Sequence, residues 1–161
     1  MNSSVSTQES SQISRTVIES FENEFASLDS RTRELVQNLP EGILYQTAFR
    51  TGTSVGELVL RSAAAVEQTC GGLTANLWDD PFEWTLPETL STRALVIEYL
   101  DEVTSTRKKF FSRLRHDADL AKLIAVPAGE TQPLVRLLMR TLVRATGYLE
   151  RAAVIRKASS E

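Results

Sequence analysis

The feature that most constrains this chain is an apolar stripe near its C-terminus. Over residues 131–157, Leu134, Leu138, Thr141, Leu142, Ala145, Tyr148, Leu149, Ala152 and Ile155 recur three and four residues apart. That is the period of an α-helix, sustained over roughly seven turns. Thr131 is the expected N-cap, with Pro133 in the first turn, where a missing N–H costs little. Arg151, Arg156 and Lys157 gather towards the other end, where positive charge complements the helix dipole. A helix this long cannot cover its own stripe, so the rest of the chain must supply other helices.

Three stretches have the pattern to do so. Residues 11–39 carry Ile13, Val17, Phe21, Phe25 (or Leu28), Leu35 and Leu39 at roughly helical spacing. Pro40 ends that run, because the residue before a proline is pushed out of the α region. A second helix opens at Ser54-Val55-Gly56-Glu57, which has the form of a capping box: Ser54 caps, and Glu57 reaches back. Its inner face reads Val55, Val59, Ala63 (or Ser62), Val66, Cys70, Leu73 and Leu77. It is expected to end between Gly71 and Leu77, since each glycine costs about 1 kcal/mol against alanine. A third helix, over residues 91–115, buries Val96, Leu100, Val103, Phe110, Phe111 and Leu114.

The connections are informative too. Ile43, Leu44, Tyr45 and Phe49 suit a connector that lies against the helices. Residues 77–90 hold Trp78, Phe82 and Trp84. This loop is expected to plug one end of the core, or, in a sharper reading, to line a pocket. A short helical turn is expected over residues 117–123. No stretch alternates with period two. The expected fold is therefore all-α, a four-helix bundle with an extra short helix. Residues 1–10 read as a disordered polar tail, and residues 11–157 as one domain.

Composition bounds the chemistry. Of 161 residues, 42% are hydrophobic and 24% charged, as in soluble globular proteins. A formal net charge of −3 argues against nucleic acid or an anionic membrane as the main partner, since both need a basic footprint. A single cysteine rules out an intrachain disulfide. With no secretory leader pattern and no apolar run of ~18 residues, the expected compartment is the cytoplasm. His116 is the only histidine, so no multi-histidine metal site can form.

Individual residues read as follows. Cys70 sits on an apolar face without an activating base, which suits a buried small hydrophobe. His116, beside Asp117, suits a helix cap. Glu57, Glu67, Glu98, Asp101, Glu102 and Glu150 mostly lie off the apolar stripes and are expected in solvent. Arg61 is one turn after Glu57 and can pair with it. Arg136, Arg140, Arg144 and Arg151 form a basic flank of the last helix. It is expected to be solvated and paired with acidic neighbours.

Two of these segments resemble the DinB/YfiT-like family. One is Thr-Ser-Val-Gly-Glu-Leu-Val-Leu-Arg-Ser-Ala-Ala-Ala-Val-Glu, from Thr53, opening the second helix. The other is Gly147 followed by Tyr148-Leu149 in the last helix. The resemblance implies four long helices plus a short one, over residues 11–156, and a homodimer. Many members of the family bind a divalent metal through three histidines, and the activities proposed for them are metal-dependent hydrolase and thiol-dependent transferase or isomerase. Carried over position by position, the histidine of the second helix corresponds to Arg61. The pair in the last helix corresponds to Thr141 and Ala145. The resemblance thus implies a family pocket at Arg61, Thr141 and Ala145, with Glu57 and Tyr148 as neighbours, and neither metal nor other cofactor. The leading expectation is a homodimeric protein that binds a small ligand or a partner. The alternative is an enzyme that keeps the pocket and works through Arg61, Thr141 and Tyr148.

Overall fold

The computed structural model describes residues 14–40, 42–127 and 129–160. The polar tail expected at residues 1–10 lies outside the described residues, as do Ser11 and Ile13. Four helices make up the described chain: α1 (Thr16–Gln37), α2 (Val55–Ala75), α3 (Arg93–Phe111) and α4 (Leu134–Ala158). Two 3₁₀ turns, Pro81–Glu83 and Asp117–Ala121, lie in the connections. The all-α bundle with a short helical turn at Asp117–Ala121 is as expected; the turn at Pro81–Glu83 lies in the segment read as a loop.

Side-chain contacts set the helix directions. Ser62 Oγ donates to the Ala145 carbonyl at 2.8 Å, and the Thr69 and Thr141 hydroxyls lie 2.6 Å apart. As numbers rise along α2 they fall along α4, so the two are antiparallel. Tyr99 meets Glu67 and Arg113 meets Thr74, so α3 runs parallel to α2. Parallel neighbours cannot be joined by a tight turn. The aromatic loop between Ala75 and Arg93 is the long crossing they require.

α2 is the central helix and is buried on nearly every side. Small residues make this possible: Ser62, Ala63, Ala64, Ala65, Gly71 and Gly72 let neighbouring backbones approach. A Cβ on Gly56 would lie 2.7 Å from the Leu44 carbonyl oxygen and 2.5 Å from the Tyr45 ring. A Cβ on Gly72 would fall 2.3 Å from the Trp78 ring. These two glycines hold the connector and the start of the aromatic loop against the bundle. Phe49, expected to join the connector's apolar face, is fully exposed instead.

Helix ends depart from expectation in instructive ways. Ser54 Oγ accepts from the Glu57 N–H at 3.1 Å, but the Glu57 carboxylate turns to Arg61, so only half of the capping box forms. Asn76, left-handed with φ of 56°, closes α2 inside the expected window. Thr92 caps α3 through the Leu95 N–H. That helix stops at Phe111, short of Arg115, because Arg113 and Leu114 tighten into turns on the Phe110 and Phe111 carbonyls. Thr131 is not the cap of α4. Gln132–Pro133 instead pairs antiparallel with Leu123–Ile124, a strand contact too short to show alternation. The Leu134 N–H bonds to the Lys122 carbonyl, which delays the start of the helix to Leu134.

α1 starts at Thr16, and Ile18 rather than Val17 turns inward. The reason lies 100 residues away. The Asp117 carboxylate accepts from the Val17 and Ile18 N–H groups at 3.1 and 3.0 Å, capping the helix from another segment. His116 stands at the N-cap of the second 3₁₀ turn, where its backbone N–H donates to the Asp119 carboxylate and its carbonyl accepts from the Asp119 N–H.

Candidate functional site

The positions carried over from the resemblance fall at two levels of the bundle, Ala145 beside Ser62 and Thr141 beside Thr69. Arg61 pairs with Glu57 (3.1 Å) and lays its guanidinium 4.0 Å above the centre of the Phe82 ring. Thr141 is buried, its hydroxyl shared between the Leu137 carbonyl and Thr69. Ala145 is fully buried, its carbonyl taken by Ser62. Tyr148 is partly buried against the core. Because Thr141 pairs with Thr69, Arg61 lies eight residues away along α2, or about 12 Å at 1.5 Å per residue. Arg61 and Thr141 therefore do not face one pocket.

The same residues decide how well a divalent metal would fit. Arg61 is a cation, Ala145 has no donor atom, and the Thr141 hydroxyl already has two partners. Among the described residues no three His, Cys, Asp or Glu side chains lie together as a metal could require. The side chains present do not fit the metal that the resemblance brings with it.

What the fold does build beside Thr141 is a groove of about 820 Å³ between α2 and α4. Ala65, Trp78, Val126, Val135, Met139 and Val143 supply apolar wall, with Gln68, Thr69, Gln132 and Thr141 as polar points. Trp78 is brought there by the aromatic loop, where the Gln68 amide donates to its carbonyl at 2.9 Å. That loop thus does both things expected of it: Pro81 is buried and Phe82 packs against the core, while Trp78 lines the groove.

Arg136, Arg140 and Arg144 border this groove, one turn apart along α4. Here the expectation of acidic partners is corrected. The ion pairs among the described residues belong to Arg15, Arg31, Arg33 and Arg61. Arg136, Arg140, Arg144 and Arg151 have no ion pair or side-chain hydrogen bond among the described residues, and all four are exposed. The acidic side chains are elsewhere. α4 carries six basic residues and one acidic one, while the rest of the chain carries 12 and 20.

Two other groups have altered chemistry. Burial pushes the Cys70 thiol up to about 12, against a smaller pull from Arg107, so it stays protonated at neutral pH and is no nucleophile. Glu67, expected in solvent, is half-buried beside a second cavity of about 260 Å³ and accepts the Tyr99 hydroxyl proton at 2.5 Å. Burial raises its carboxyl above the ordinary 4.5, against the Tyr99 hydrogen bond, with Glu102 adding to the rise. A carboxyl raised on folding binds its proton more tightly in the folded state. Stability is then lost as pH rises from 4.5 through the folded value. Glu67→Gln, which still accepts from Tyr99, is expected to melt higher than the parent at neutral pH. The difference should close towards pH 4, as read by thermal melts across that range.

No protein-family model matches this chain, and no curated protein matches it. Its structure is similar to that of a DinB-like protein from Bacillus cereus, with a TM-score of 0.70 and 14% sequence identity. The match covers 88% of this chain and 92% of the other. The chain thus has the DinB-like fold. No described helix is long and apolar enough to cross a membrane.

Proposed function

We propose that this protein is a metal-independent binding protein of DinB-like fold, and that its ligand is a small molecule held in the groove between α2 and α4. The observation that carries this reading is a groove of about 820 Å³ beside positions that no longer suit a metal. Its size falls within the range of about 300–1,000 Å³ usual for small-molecule sites, and its lining is mostly apolar with a few polar points, as such sites are. An enzyme working through Arg61, Thr141 and Tyr148 is not favoured, because Arg61 lies about 12 Å along α2 from the level of Thr141. The reading includes the expected homodimer, with one restriction. A two-fold contact laying α4 against its copy would set unpaired arginines against unpaired arginines, so the dimer uses another face.

The test is an NMR titration with 1-octanol, a neutral apolar probe, beside elemental analysis and melts with Zn²⁺, Ni²⁺ and Mn²⁺. Shifts confined to the amides of Ala65, Thr69, Val135, Met139 and Val143, with no bound metal and no rise in melting temperature, are the expected result. Stoichiometric metal with a raised melting temperature, as follows when a ligand binds only the folded state, would overturn metal independence. No groove response to octanol would overturn the binding site.

A further inference from the structure

The groove has a second property, which narrows what it takes. Its lining mixes an apolar wall with three guanidinium groups on one side, and those groups have no anion to meet within the described protein. Arg136, Arg140 and Arg144 stand at i, i+4 and i+8, so they span about 12 Å along the helix. An arginine presents a planar fork of donors suited to carboxylate or phosphate oxygens. Three such forks in line repel one another, and no carboxylate among the described residues pairs with them to relieve this. The arrangement is complementary to an anion.

The apolar wall decides what kind of anion. Trp78, Val126, Val135, Met139 and Val143 face the same space, and Met139 and Val143 are exposed, at 55% and 72%. A bare inorganic anion would leave that surface wet. A second copy of this chain is disfavoured by the like charges already described. A concave space of this size suits a compact molecule better than a long flat partner helix.

Resting on the reading of the groove as a ligand site, we propose that the ligand is an anionic amphiphile. Its carboxylate or phosphate lies along Arg136, Arg140 and Arg144, and its apolar body lies against Trp78, Met139 and Val143. A free acyl carboxylate and an alkyl phosphate share this chemistry, and the experiment separates them.

The full chain is titrated, followed by NMR, with octanoate and octyl phosphate below their micellar concentrations and with 1-octanol below its solubility limit. Octanoate or octyl phosphate should bind at least about tenfold more tightly than octanol, a gain of the size charge-assisted bonds supply. The tighter of the two names the head group. Added salt should weaken the anions and leave octanol unchanged. The double variant Arg140→Gln/Arg144→Gln, altered at two exposed sites, should lose the preference for anions while keeping its octanol affinity and melting temperature.

Octanol binding as tightly as the anions would overturn the anionic assignment and leave the groove as a ligand site. No binding by any of the three would overturn both. Inorganic phosphate displacing octanoate at equal concentration would assign the arginines to a free anion. Attachment to anionic vesicles without binding of the monomeric amphiphiles would assign them to a membrane surface. Either outcome rejects the proposal.

Discussion

Phe25→Ala is expected to destabilise the protein by about 3–5 kcal/mol. Phe25 is 2% exposed and stands where α1, α2 and α3 meet, its ring 5.8 Å from that of Phe111. It also borders a crevice of about 20 Å³, with room for one water-sized probe, next to the buried Arg107. Removing the ring would join a large apolar void to that crevice. The surrounding helices are tied by the Asp29–Arg33–Asp101 ion pairs and cannot simply collapse inward. Such a loss is a large fraction of the total stability of an ordinary domain, about 5–15 kcal/mol. Chemical denaturation should show the midpoint falling with little change in slope. A loss under about 1.5 kcal/mol would mean that the three helices close over the gap.

Gly56→Ala is the second, and its sign is the point. In a free helix the change is worth about 1 kcal/mol in favour of alanine. Here the new methyl would lie 2.7 Å from a backbone oxygen, that of Leu44, which accepts the Gly56 N–H at 2.7 Å. The methyl cannot be admitted without moving the connector and the Tyr45 ring, whose hydroxyl is anchored on the Leu90 carbonyl. A loss of about 3 kcal/mol, at the upper end for overpacking, is expected. A thermal melt showing a gain instead would mean that the connector is not held against α2.

The helical part of this fold was legible because period and burial are the same fact seen twice. The stripe of Leu134, Leu138, Thr141, Ala145, Leu149, Ala152 and Ile155 is buried throughout. Val55, Val59, Val66 and Cys70 on α2, and Val96, Leu100, Val103 and Phe110 on α3, are buried likewise. A cap with a local partner was legible too, as Ser54 shows, because its acceptor and donor are three residues apart.

Features that depend on distant partners were not legible. The cap of α1 comes from Asp117, and nothing near Thr16 announces it. The late start of α4 is set by the pairing of Gln132–Pro133 with Leu123–Ile124. The chain around Pro133 looks like an ordinary first helical turn until that partner is known. Glu67 reads as one more surface carboxylate, and only the approach of Tyr99 from α3 makes it half-buried and raises its proton affinity.

The candidate site divides in the same way. The arginines of α4, their spacing and the acidity of the rest of the chain can be read directly from the residues. That no carboxylate among the described residues reaches them could not be, because pairing is decided by which helix faces which. Nor could the groove, whose walls come from α2, α4, Trp78 in one connection and Val126 in another. By itself the sequence determined four amphipathic helices and, with one histidine, the absence of a multi-histidine site, since both are properties of residue type and short-range spacing. Only the tertiary structure decided that Arg61 stays with Glu57 and Phe82, that Thr141 and Ala145 are sealed against α2, and that three cations with no ion pair among the described residues border an apolar hollow. Those are matters of register between helices far apart in the chain, set by the sum of all their contacts and by no single segment.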